Sequence, residues 1–142
     1  METIINFIGH FHPILVHLPI GILLFAIVLQ LLSKWGKFDQ LANALPFAYL
    51  LGAISAVFSC ITGLALANNG DYDADLVFKH QWLGISVAVF SLTGYYFIKK
   101  NKTVYSKWLS YLLLLLIIVT GHLGGTLTHG AGYLTTGVSK EE

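Results

Sequence analysis

The sequence is short of charged residues and contains no arginine. Only 11% of its 142 residues are Asp, Glu, Lys or Arg, whereas a globular domain usually carries about 25%. Too little polar side-chain surface is therefore available for a soluble domain. No basic patch, phosphate-binding loop or nucleophile elbow is present, which argues against nucleic-acid binding, nucleotide binding and hydrolase chemistry.

Cysteine and methionine each occur once. Cys60 lies in the middle of an apolar run and can form no internal disulfide. The chain has no CxxCH motif, so any haem must be a non-covalent b-type group. The scarcity of methionine and the position of the cysteine argue against a copper(I) pathway. No Asp or Glu lies within an apolar run, which argues against a proton-coupled transporter with a membrane-embedded acid.

The chain does contain four long apolar runs. Hydrophobic residues make up 56% of the sequence, and stretches of about 20 apolar residues are typical of membrane-spanning helices. The runs predict spans over residues 13–33, 44–67, 81–98 and 108–128 of a single membrane domain that covers 1–142. We therefore expect an all-α integral membrane protein, built as a four-helix up-and-down bundle.

Lysines predict how this bundle is oriented. The loops after the first and third runs carry six lysines, whereas the other side of the membrane carries two. By the positive-inside rule, the lysine-rich loops lie in the cytoplasm. The N-terminus lacks the basic region of a cleaved signal peptide, so the first span is expected to be retained. These features predict a multi-pass protein of the bacterial inner membrane with both termini in the periplasm.

The histidines fall at the ends of the apolar runs that this path places outside. They are His10, His12, His17, His80, His122 and His129. Clustered imidazoles near or inside a bilayer indicate a functional site, usually one that holds a metal or a haem. His17 and His122 lie one to two turns deeper than the others. The spacing thus predicts an inner pair of His17 and His122, with His12, His80 and His129 as an outer group.

Glycines and a proline accompany these histidines. The fourth run ends in TGHLGGTLTHGAG, in which Gly121 and Gly125 form a GxxxG pattern typical of close helix packing. Together with Gly124, they would also let a flat macrocycle lie against the backbone. In the first run, Pro19 has no N–H and leaves the carbonyl of Leu15 without its usual helical partner. Such local loosening is tolerated in a span when neighbouring groups satisfy the backbone.

Two segments, HPILVHLPIG and GHLGGTLTHGAGYLT, together with the third-run histidine, resemble the bacterial membrane family known as domain of unknown function 2231. The second segment resembles in particular the subset found beside, or fused to, c-type cytochrome domains. The resemblance covers essentially the whole chain and implies a four-helix membrane protein linked to respiratory or haem-based electron transfer. The residues that match are His12, Pro13, His17, Pro19, His80, His122, Gly124, Gly125, His129 and Gly130.

Together, these features predict a small b-type haem protein for electron transfer, either a quinol–cytochrome shuttle or a subunit of a larger respiratory oxidoreductase. The axial imidazoles would be His17 with His122, or His17 with His80, and layers about 7–10 Å apart favour one haem over two. An all-imidazole site also suits copper(II) or zinc. A non-catalytic assembly or anchoring subunit is the further alternative. The expected partners are lipid, quinone and a c-type cytochrome or larger complex, and the oligomeric state stays open.

Overall fold

The computed structural model describes residues 2–67 and 72–134, and the regular structure within these ranges is helical. The helices are α1 (Glu2–Gly9), α2 (His12–Leu15), α3 (His17–Leu32), α4 (Leu45–Ala67), α5 (Ala74–Lys99) and α6 (Thr103–His129), with a 3-10 segment at Gly36–Ala44. Four stretches are long and apolar enough to cross a membrane: Phe7–Leu32, Gly36–Ala67, Ala74–Lys99 and Thr103–His129. The all-α, four-span prediction is confirmed.

The helix of the third span begins earlier than the apolar pattern predicts. The third span starts at Ala74 rather than 81, because the carboxylate of Asp73 accepts a 2.8 Å hydrogen bond from the backbone N–H of Leu76 and caps the helix. An exposed ion pair between Asp75 and Lys79 supports the same first turns. Hydropathy therefore identifies the part of α5 that lies in the membrane, while polar first turns extend the helix beyond it.

The first span is interrupted around its prolines. Pro13 lies in the first turn of α2, and Pro19 lies in the first turn of α3. The hydroxyl of Ser59, on α4, donates a 3.0 Å hydrogen bond to the carbonyl of Leu15. A neighbouring helix thus supplies the donor that Pro19 cannot provide.

The spans pack in chain order, with α4 against α3 and α5, and α5 against α6, whereas α3 and α6 touch only slightly. The core lies where all four converge and includes Leu23, Tyr49 and Leu113, each almost fully buried. Gly94 lets α5 approach α4 closely, since a Cβ there would lie 2.8 Å from the ring of Tyr49. Close packing of small residues is the usual basis of helix association in membranes.

A buried hydrogen-bonded group, the Gln30 network, ties α3, α4 and α6 together at the histidine-free end of the bundle. Its members are Gln30, Tyr49, Ser106 and Ser110. The amide of Gln30 donates to Ser106 Oγ at 3.2 Å, and the hydroxyl of Tyr49 donates to Gln30 Oε1 at 2.9 Å. This network holds α3 against α6 at one end. At the other end, a cavity lies between the same two helices.

Candidate functional site

A cavity of about 560 Å³ occupies the histidine end of the bundle. Small-molecule and cofactor sites typically measure about 300–1,000 Å³, so its size suits a bound organic group. All four spans contribute to a lining that is mainly apolar. The histidines in this lining are His12, His17, His80 and His129.

The imidazoles of His12 and His80 come closest to each other. They lie on α2 and α5, both are half-buried, and their ring centroids are 6.3 Å apart with planes at 87°. Two rings from spans distant in sequence thus meet inside the cavity. Their separation and nearly perpendicular planes are those of an edge-to-face ring contact.

Backbone carbonyls fix the orientation of both rings. Nδ1 of His12 donates to the carbonyl of Ser59 at 2.9 Å, and Nδ1 of His80 donates to the carbonyl of Thr120 at 3.1 Å. A carbonyl can only accept, so the proton must be on Nδ1 in each ring. In a neutral imidazole this makes Nε2 the nitrogen with a free lone pair, as in histidines that bind metals.

Glycines provide the room in which these two rings lie. A Cβ at Gly63 would be 2.8 Å from Cε1 of His12, and a Cβ at Gly124 would be 3.1 Å from Cε1 of His80. Gly124 was among the glycines predicted to border a macrocycle, but in the structure it borders an imidazole. Gly63 was missed, although its position one helical turn after Ser59 places it on the same face of α4.

Two other predicted histidines, His17 and His129, also line the cavity but are exposed. Nδ1 of His17 donates to the carbonyl of Pro13 at 2.6 Å, so its Nε2 is likewise left for other partners. His10, which is not among the residues that match the family, is exposed and does not line the cavity. His12 and His80, rather than these exposed residues, form the central pair.

The predicted inner pair of His17 and His122 does not form. His122 is exposed, does not line the cavity and stacks on Tyr133 at a centroid distance of 6.0 Å. The reason is helical rotation, because residues two apart on a helix diverge by about 200°. With Gly124 turned toward His80, the side chain of His122 must point away.

Tyr133 is a second feature that the sequence did not reveal. The chain turns back after α6 through Gly130 and Gly132, whose φ angles of 86° and 77° favour glycine. The ring of Tyr133 then lies 5.6 Å from that of His129 and covers Gly125 with its hydroxyl. Gly125 is therefore not open to a macrocycle. Gly121 is open, since a Cβ there would meet nothing within 4 Å.

The part of the chain that the structure describes contains no group of three or more His, Cys, Asp or Glu side chains suited to a metal ion. A zinc ion held by protein alone needs three or four such ligands. A haem needs only one or two from the protein, because its macrocycle supplies the other four.

The family model DUF2231, described as a predicted membrane protein, matches residues 10–137, a range that holds all six histidines. This match does not distinguish the subset associated with c-type cytochrome domains from other members. No curated protein and no solved structure matches the chain.

Proposed function

The chain belongs to the DUF2231 family of predicted membrane proteins, and from its cavity we propose that it is a small b-type haem protein for electron transfer. The observation that carries this proposal is the His12–His80 pair. Two imidazoles from different spans, each oriented by a backbone carbonyl, border a cavity of cofactor size. Hydrogen bonds that hold the other ring nitrogen in this way are typical of histidines that serve as metal ligands.

The positions of the two rings support an axial role. The two imidazoles come from different helices and lie in one cavity, as the two protein ligands of a haem must, and their edge-to-face contact would have to open to admit an iron. The centroids of His12 and His80 are 6.3 Å apart. A pairing of His12 with His80 replaces the two pairings that the sequence suggested. A bound haem would supply one-electron iron chemistry, and the apolar lining would tune its potential.

The rest of the cavity supports a macrocycle in the same place. The lining is mainly apolar, as a porphyrin face requires. A role in assembly alone would not require two inward-facing imidazoles that are each fixed at Nδ1.

We place this site at the periplasmic side of a bacterial inner membrane, because the opposite loops carry six of the eight lysines. Both termini would then lie outside. Electrons would leave the haem toward an outward-facing partner, either a c-type cytochrome or a larger respiratory complex. The cavity lies at the histidine end of the bundle, which favours exchange on that side.

The test is the absorption spectrum of detergent-purified protein, reconstituted with haem and reduced with dithionite. We expect a Soret band that sharpens and shifts on reduction. Replacing either ligand, as in His12→Ala or His80→Ala, should lower the haem content by about tenfold or more. His122→Ala is the matched control and should keep the band, because His122 points out of the cavity.

Two results would contradict the proposal. A colourless reconstituted protein with stoichiometric copper or zinc would assign the imidazoles to a metal ion instead. A colourless, metal-free protein that copurifies with a larger complex would assign the chain to an assembly role. If the Soret band were lost in His122→Ala but kept in His12→Ala, the two axial ligands would have to be reassigned.

A further inference from the structure

The contact between α3 and α6 is uneven along its length. At the histidine-free end, the Gln30 network joins the two helices through the bond from Gln30 to Ser106. At the histidine end, both helices line the cavity, α3 through His17 and Ile20 and α6 through Gly121. The two helices touch little overall. They are therefore held together at one end and separated at the other.

The separated part lies at membrane depth. His17 is ten residues from the start of its span at Phe7, and Gly121 is eight residues from the end of its span at His129. In the continuous helix α6, a rise of 1.5 Å per residue places Gly121 about 12 Å below the outer helix end. Both residues are exposed. A gap between two exposed, membrane-embedded positions opens toward lipid, so a ligand would enter from the bilayer.

The chemistry of this gap selects the kind of ligand. His17 provides Nε2 as its polar atom, since Nδ1 is bonded to the carbonyl of Pro13. A neutral imidazole can accept a hydrogen bond there from a hydroxyl, and a protonated one can donate to a carbonyl. The lining is mainly apolar and no lysine is among its described residues, which favours an uncharged ligand over an anionic lipid headgroup. The ligand that fits is an uncharged ring with carbonyl or hydroxyl oxygens and an apolar tail.

We propose that the gap between α3 and α6 is a lateral binding site for a membrane quinone or its quinol. Nε2 of His17 forms the hydrogen bond to a ring oxygen, and the open wall at Gly121 accommodates the ring. The proposal deepens the electron-transfer role and rests on it for its physiological meaning. Binding itself requires no haem, so the two proposals can fail separately.

The experiment measures binding of a ubiquinone analogue with one isoprene unit to the purified full-length protein in detergent, by isothermal titration. Two glycines give a matched pair of variants, because a Cβ at Gly121 or at Gly21 meets nothing within 4 Å. Only Gly121 lines the cavity. Gly121→Phe should abolish binding, whereas Gly21→Phe should bind within about twofold of the unchanged protein.

His17→Ala provides a second, independent variant. We expect binding about tenfold weaker, because the ring oxygen loses its one imidazole partner. The haem spectrum of this variant should be kept, since His12 and His80 are intact. If the His12→Ala protein loses the Soret band but keeps quinone binding, haem binding depends on His12 and quinone binding does not.

The quinone proposal is overturned by equal titrations of the unchanged protein, His17→Ala and Gly121→Phe. It is also overturned if the analogue does not bind at all, or if mass spectrometry finds a phospholipid that quinone cannot displace. A haem-free protein that still binds quinone through His17 would overturn the haem proposal alone. Circular dichroism of each variant establishes that a loss of binding is not a loss of helix.

Discussion

An imidazole can bind a metal through one ring nitrogen, and a hydrogen bond at the other nitrogen fixes its tautomer and orientation. In the candidate site the backbone provides that hydrogen bond. The carbonyl of Ser59 holds Nδ1 of His12, and that of Thr120 holds Nδ1 of His80. Each carbonyl belongs to a different helix from the histidine that it orients. The position of each ring therefore depends on helix packing as well as on its own rotamer. This dependence pre-organises the site.

Gly63 tests this arrangement at the scale of a single methyl group. Gly63→Ala would bring a Cβ to 2.8 Å from Cε1 of His12, so the ring must move and its bond to Ser59 must lengthen. We expect haem affinity to fall by about 10–100-fold, measured by titration of apoprotein with haem. Gly84→Ala is the control. Gly84 lines the same cavity, but its Cβ would make an ordinary 3.8 Å contact with Cys60 Sγ.

If Gly63→Ala and Gly84→Ala both kept the haem affinity of the unchanged protein, the ring of His12 would not be held where the site requires it. An affinity lowered equally in both would point to a general narrowing of the cavity. Neither result agrees with a ring that is positioned by close contact with α4.

At the scale of the helix, α4 compensates for the irregular backbone of the first span. The hydroxyl of Ser59 satisfies the carbonyl of Leu15, which Pro19 leaves without a donor. Its own carbonyl accepts from His12. One residue of α4 therefore stabilises the break in the first span and also orients a candidate ligand. Because no water reaches these groups inside a membrane, the break depends on a donor from another helix.

Ser59→Ala removes that donor and leaves the Leu15 carbonyl buried without a partner. We expect the free energy of unfolding to fall by about 1–3 kcal/mol, measured by denaturant titration in detergent. Ser55→Ala, on the same helix, is the matched control, because the Ser55 hydroxyl bonds only to the carbonyl of Gly52 in its own helix. Its effect should stay within about 0.5 kcal/mol. If the Ser59→Ala protein were as stable as the control, the bond from Ser59 to the Leu15 carbonyl would not stabilise the first span.

At the scale of the whole molecule, the bundle is asymmetric along the membrane normal. The histidine-free end is closed by the Gln30 network and flanked by most of the lysines. The other end contains the cavity. The hydrogen bond from Gln30 to Ser106 joins α3 and α6 at one end, and the cavity lies at the other end. The candidate site therefore lies at one end of the bundle.

The orientation of that end can be measured by labelling single cysteines in a Cys60→Ser background. A membrane-impermeant maleimide added to spheroplasts should label Ala74→Cys, which lies at the histidine end of α5. It should label Gln40→Cys, in the lysine-bearing loop, only after the membrane is permeabilised. The physical reason is the positive-inside rule. The reverse pattern would put the cavity on the cytoplasmic side.

The sequence by itself determined the features that depend on hydropathy and on distance along the chain. The four spans follow from the length of the apolar runs, and the shared end of the histidines follows from their positions in those runs. The unsatisfied carbonyl of Leu15 follows from Pro19, because proline has no N–H. These properties are local, so no knowledge of packing is needed to predict them.

Only the tertiary structure decided which imidazoles meet. The sequence placed His17 and His122 at matching depths, but depth does not fix the rotation of a helix about its axis. That rotation depends on close contacts such as Gly63 with His12, Gly124 with His80 and Gly94 with Tyr49. Each residue turns the helix by about 100°. A shift of two positions along the sequence therefore decides whether a side chain faces the cavity or the lipid. The pairing of His12 with His80 is thus a property of helix packing.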